Sequence, residues 1–164
     1  DKVAYEIPLE KVSEEANLPA DIKVVSLQDM LKKQAKKARQ SEGRTYVGAM
    51  NRANQAYYLE NNKFATNLQE LQLGIKSESD NYIFKVVPQA NQDKSVMNIA
   101  QAKTKGLQSY VGLVYLVETN NRESTTVTKL CETSQALSQP PKMPSIPKKS
   151  SEEIQCPSSF KSLR

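Results

Sequence analysis

The stretch from Ser26 to Asn62, SLQDMLKKQAKKARQSEGRTYVGAMNRANQAYYLENN, constrains this chain more than any other. It holds no proline and two glycines. It is rich in Ala, Lys, Gln, Arg, Leu and Met, the residues that lose least on entering a helix. A helix from about Asp29 to Asn61 would be roughly 50 Å long at 1.5 Å per residue. A compact chain of this length has a diameter of only about 40 Å. Such a helix outruns its own globule, so part of it is expected to protrude or to find a partner.

Ser26 followed by Asp29 reads as an N-cap signal ahead of Met30 and Leu31. The next turns carry Lys32, Lys33, Lys36, Lys37 and Arg39, leaving Leu31, Ala35 and Ala38 as a thin apolar seam. From Thr45 the seam widens. Thr45, Ala49, Ala53 and Ala56 form a small-residue stripe flanked by Tyr46, Met50 and Tyr57, the pattern of a helix lying close on a sheet. The C-terminal half is therefore expected to be core and the N-terminal half exposed. Gly43, which costs about 1 kcal/mol relative to Ala in a helix, marks the junction.

Charge follows the same division. Residues 1–31 carry three basic and seven acidic side chains, residues 32–63 eight and two, residues 64–137 seven of each, and residues 138–164 five and two. The basicity belongs to the helix and the tail, which argues against a nucleic-acid-binding sheet and for a local polar contact. Without aromatics between its lysines, the Lys32–Arg39 cluster disfavours nucleic acid. It suits a solvated helix face or a membrane surface, where each basic side chain near anionic headgroups contributes about 1 kcal/mol.

Catalysis has little to stand on. The chain has no His, hence neither the commonest general base nor the commonest metal ligand, and no G-x-S-x-G elbow. No cofactor is called for. The turns Ser77–Asn81 and Glu118–Glu123 hold oxygen ligands but lack the spacing of a calcium loop, and such residues are what turns need anyway. The longest apolar run, Tyr110–Val117, is too short to span a bilayer, so the chain is expected to be soluble as it stands.

Residues 1–25 leave two readings open, a loosely packed arm or a strand added to the main sheet. Val3, Tyr5 and Ile7 alternate up to Pro8, Leu9–Ala16 can make helical turns, and Ile22, Val24 and Val25 read as a short extended piece. Asn61–Asn62 ends the helix. In the connection that follows, Phe64, Leu68, Leu71 and Leu73 can tuck back onto it. Four strand-like runs then appear: Asn81–Val87, Ser95–Ala102, Ser109–Glu118 and Ser124–Leu130. Tyr82, Phe84 and Val86 share one face, while the third run is apolar on both, as a central or doubly covered strand is. Short turns between the runs make an antiparallel meander the economical arrangement.

Residues 138–150, SQPPKMPSIPKKS, carry four prolines and should be extended and surface-lying. Cys131 and Cys156 bracket this segment. Either they are two free thiols, or a disulfide between them fastens the tail, worth about 3–4 kcal/mol on the chain-entropy model and at home in an oxidising compartment. The chain thus reads as an α+β protein with an arm (1–25), a helix-plus-sheet domain (26–137) and a Pro-rich C-terminal loop and tail (138–164).

This layout resembles that of type IV pilins and pseudopilins. The segment KKARQSEGRTYVGAMNRANQAYYLENNKFATNLQELQLGI, Lys36–Ile75, is similar to cyanobacterial pilin-like proteins of the G/H type. The resemblance implies a structural subunit without catalysis, stacked through its helix into a pilus, fimbrium or secretion pseudopilus. Its partners would be other pilin-like subunits or envelope proteins, at the periplasm or cell surface. Cys131 and Cys156 resemble the cysteines that close the exposed C-terminal loop of such subunits. The chain departs from the family where an apolar anchor of about twenty residues, long enough to span a bilayer, with a Gly-Phe-Thr-Leu-Ile-Glu-like signature is expected. Asp1–Met30 stands there instead, with two prolines and seven acidic residues. The sequence opens on Asp1 rather than Met, so something upstream is expected to have been removed, and the resemblance places a membrane tether there. If this N-terminus is native divergence, the alternative is a membrane-tethered adaptor or binding module that keeps the pilin head and does not polymerise.

Overall fold

The computed structural model describes residues 19–91 and 93–163, with side chains from Ser26 onward. The expected strand Val3–Ile7 and the turns at Leu9–Ala16 lie outside the described residues. The chain falls into two compact units, residues 1–38 and 39–164.

Helix α1 runs from Pro19 to Asn61. It starts ten residues earlier than Asp29, so Ser26 is not a cap, and Ile22, Val24 and Val25 are helical rather than extended. The reason is local: proline is well tolerated at the first helical position, where its missing N–H would be unpaired anyway. No later breaker interrupts the run. In the first unit, every residue from Ser26 to Ala38 is exposed. At its far end α1 stops where Asn62 turns left-handed (φ 58°) and its N–H returns to the Tyr58 carbonyl at 2.8 Å, the asparagine version of a left-handed C-cap.

The second unit holds a five-stranded sheet in the order β1-β2-β3-β4-β5. Its strands are β1 (Tyr82–Pro88), β2 (Ser95–Ala102), β3 (Ser109–Glu118), β4 (Ser124–Thr133) and β5 (Lys161–Leu163). All neighbours pair antiparallel. The first four strands form the expected meander. β5 is an addition: the chain returns after Cys156, and Leu163, Ser162 and Lys161 pair with Leu130, Cys131 and Glu132.

The sheet is covered on both faces, which is why β3 is buried at every position from Ser109 to Tyr115. On one face Val47 and Met50 of α1 pack with Phe64, Leu68 and Leu71 of the connection onto Tyr82, Phe84, Val96, Tyr110 and Val114. Leu73, expected to tuck in with them, is 37% exposed. On the other face Ile154, with Met143 and Leu137 beside it, covers Met97, Leu113, Tyr115 and Val117. The Pro-rich segment has no regular secondary structure, yet it serves as this second cover. The Tyr115 hydroxyl donates to the Pro144 carbonyl at 2.9 Å, and Thr133 Oγ1 donates to the Ser159 carbonyl at 2.9 Å.

Gly43 explains its own presence in the helix. A Cβ there would lie 2.6 Å from Tyr82 Cζ and 3.0 Å from Tyr110 Cδ2. The local cost of glycine is what lets α1 meet two buried tyrosines closely.

Candidate interaction surfaces

The face that α1 turns to the sheet shares Met50, Ala53 and Tyr57 with the expected one and is not centred on the alanine stripe. Thr45 and Ala56 are exposed, Ala49, Ala53 and Tyr57 are half-buried, and Tyr46 is exposed but sits with its ring centroid 5.1 Å from that of Phe84. Of the seven expected packing residues, only Met50 is fully buried. The true contact line runs Gly43, Val47, Met50, Asn51 and Asn54. It is rotated about a third of a turn at 3.6 residues per turn, because the seam contains two asparagines that a hydrophobic pattern search passes over.

These asparagines form a directed chain with a third. Asn54 Nδ2 donates to Asn98 Oδ1 at 2.7 Å, and Asn98 Nδ2 donates to Asn51 Oδ1 at 2.7 Å. Asn51 Nδ2 reaches the Lys129 carbonyl at 3.4 Å, while Asn54 Oδ1 accepts the Ala65 N–H at 3.1 Å. Helix, β2, β4 and connecting loop are thereby joined through buried amides, whose mutual polarisation strengthens each bond. Gly112 makes room for them: a Cβ there would meet Asn51 Oδ1 at 2.1 Å. The signal available in the sequence was Asn51 and Asn54, three apart on the inward face, together with a lone Asn98 inside an apolar strand.

A second polar cluster fixes the connection after α1. Glu70 accepts the Thr66 N–H and hydroxyl, both at 2.7 Å, through Oε1. Its Oε2 accepts the Tyr57 hydroxyl at 2.8 Å. Above all the backbone bond from Thr66, then the Thr66 and Tyr57 hydroxyls, hold the Glu70 carboxyl down at about 2, and the bond to Glu70 raises the Tyr57 phenol. A carboxyl depressed on folding adds stability above its unfolded pKa near 4.5 and loses it as pH falls towards 2. Glu70→Gln is therefore expected to flatten the acid limb of the stability profile over that window. Urea melts at stepped pH would check this, and an unchanged acid limb would contradict it.

Cys131 and Cys156 are joined, Cα to Cα 5.9 Å apart and 25 residues apart in sequence. The five basic residues Lys32, Lys33, Lys36, Lys37 and Arg39 lie together on exposed helix. Among the described residues, no group of three or more His, Cys, Asp or Glu side chains could hold a metal. In the Ser77–Asn81 turn, Ser79 Oγ donates to Glu42 Oε2 at 2.6 Å, and Glu78 is paired with Lys103. Among the described residues no helix is long and apolar enough to cross a membrane.

A family model described as type IV pilin-like G and H matches residues 40–157, the greater part of the chain. It begins where the basic cluster ends and closes just past Cys156. No curated protein and no solved structure matches.

Proposed function

The chain belongs to the type IV pilin-like G and H family, and from that premise we propose that it is a structural subunit of a type IV pilus or pseudopilus-like filament, without catalysis. Family membership carries an envelope or surface location with it. The observation that supports the subunit role most is the extent of the match: it spans the docked half of α1, strands β1 to β4 and the disulfide-closed C-terminal segment. The exposed basic segment ahead of the match supplies a contact surface for an anionic partner. Membrane attachment would come from a segment outside residues 1–164.

The test is to tag the full-length gene product in its own cells and shear off surface filaments. The protein is expected in the filament fraction, at regular spacing along the fibres by immunogold labelling. Retention in the cell envelope, with normal filaments lacking it, would replace this role by that of a tethered adaptor.

A further inference from the structure

A single apolar side chain at a surface needs no explanation, but in the first unit three stand together. Leu27 and Leu31 are each 58% exposed, and Met30 is 54% exposed. With Ala35 and Ala38 they fall on one face of α1. At about 100° per residue this apolar stripe is about 140° wide, and only Gln34 interrupts it. Lys32 borders the stripe on one side, Lys33 and Lys37 border it on the other, and Lys36 points away from it. Asp29, the one carboxylate from Leu27 to Ala38, lies on the far side with Lys36.

The shape and charge of the stripe decide what surface takes it. A helix that enters a protein groove grips with large anchors repeated along its length. Here the anchors shrink from Leu27, Met30 and Leu31 to Ala35 and Ala38 within two further turns. A nucleic-acid backbone would engage the lysines and leave the leucines against water. A bilayer interface uses both at once. It is soft and flat enough to take a shallow stripe, and its headgroups meet cations on either side of a helix laid into it. Lysine stems lie along the apolar surface while their ammonium groups stay among the headgroups.

We infer that the segment Leu27–Ala38 lies in the plane of an anionic lipid bilayer, with Leu27, Met30 and Leu31 at the acyl boundary and Lys32, Lys33 and Lys37 on the headgroup phosphates. The contact is peripheral, since among the described residues no helix is long and apolar enough to cross a membrane. It rests on the anionic contact proposed above, names its partner, and does not depend on filament membership. The inserted area is small, so charge carries most of the affinity. Binding therefore requires anionic lipid and fades as salt rises.

Co-sedimentation of the purified chain with vesicles tests this, comparing phosphatidylglycerol mixed into phosphatidylcholine with phosphatidylcholine alone. The chain is expected to pellet with the mixed vesicles at low salt and to stay in the supernatant with the neutral ones. Each lysine removed should weaken binding about fivefold, the effect of one basic side chain near an anionic surface. K32Q/K33Q/K37Q should therefore lose on the order of a hundredfold. L27Q/L31Q keeps every charge and removes the stripe, and should bind at least about tenfold more weakly. K142Q/K148Q/K149Q removes as many charges from the C-terminal segment and should bind like the parent. All eight positions are exposed, so the three variants are expected to fold, which circular dichroism and thermal melts verify.

A chain that ignores phosphatidylglycerol at low salt overturns the inference, as does loss of binding in the C-terminal variant to the same degree as in the helix variant. L27Q/L31Q binding like the parent overturns the in-plane placement, because a purely electrostatic contact leaves the stripe unused. Displacement from the vesicles by duplex DNA at lower concentration than the lipid would assign the lysines to a phosphate backbone instead. Filament localisation is read independently. Protein missing from sheared filaments that still pellets with these vesicles would sink the subunit role and leave this contact standing.

Discussion

Asn98→Ala is expected to lower the unfolding free energy by about 3 kcal/mol, because it strands two buried polar atoms that each cost about 1–3 kcal/mol unpaired. Asn98 accepts from Asn54 Nδ2 and donates to Asn51 Oδ1, both at 2.7 Å, and all three side chains are at least nine-tenths buried. Removing it leaves one orphan donor and one orphan acceptor where water has no ready entry. Asn98→Leu would be worse, adding bulk against the same amides. Removing all three polar groups together would cost less than the sum of the single changes, since replacing both partners of a buried bond escapes the penalty of leaving one unpaired. Urea denaturation of the single and triple variants reads this directly. For contrast, Thr45→Ala, on the alanine stripe, should stay within about 0.5 kcal/mol of the parent, as exposed positions do. If Thr45→Ala were the damaging change and Asn98→Ala the silent one, the helix would be docked by the other face.

What could be read beforehand follows from which forces leave a periodic trace. The four strands of the meander were legible because apolar alternation and turn residues mark them, and β3, apolar on both faces, was legible as a central or doubly covered strand. The helix end was legible in Asn61–Asn62, since asparagine tolerates the left-handed turn that stops α1. Its start was not, because a proline that ends one segment can equally begin a helix. The inward face of α1 was misplaced by a helix position or two for a different reason. Hydrophobic periodicity assumes an apolar seam, and two of the five residues in this seam are asparagines. β5 left no trace either: three residues, Lys161–Leu163, carry too little pattern, and they come alongside β4 through the disulfide at Cys156 and the bond from Thr133 to the Ser159 carbonyl. The basic segment was legible as charge alone; the hollow beside Tyr46 is lined by residues from α1, the connection, β1 and the β2–β3 turn, which no linear pattern joins.

Converting both cysteines to alanine, Cys131→Ala with Cys156→Ala, is expected to destabilise the protein by about 3–4 kcal/mol through the freedom returned to the unfolded chain. The bridge closes a 25-residue separation that contains no helix and no strand beyond the end of β4. The closed loop is held otherwise by a few hydrogen bonds, such as those from Tyr115 to Pro144 and from the Ser150 N–H to the Glu118 carbonyl at 3.2 Å. Each contributes about 1 kcal/mol net, so the covalent link outweighs any one of them. Together with the burial of Ile154 against Tyr115 and Val117, they suffice to keep the segment docked in the folded state. The variant should therefore fold to the same structure with a lower denaturation midpoint, and β5, Lys161–Leu163, should show the largest gain in amide exchange because its pairing depends on the chain returning at Cys156. Alanine rather than serine is the informative change, since Cys131 is fully buried and a hydroxyl there would add a desolvation cost unrelated to the bridge. Reducing the parent protein should reproduce the same shift. A midpoint indifferent to reductant would mean that packing alone fastens the C-terminal segment.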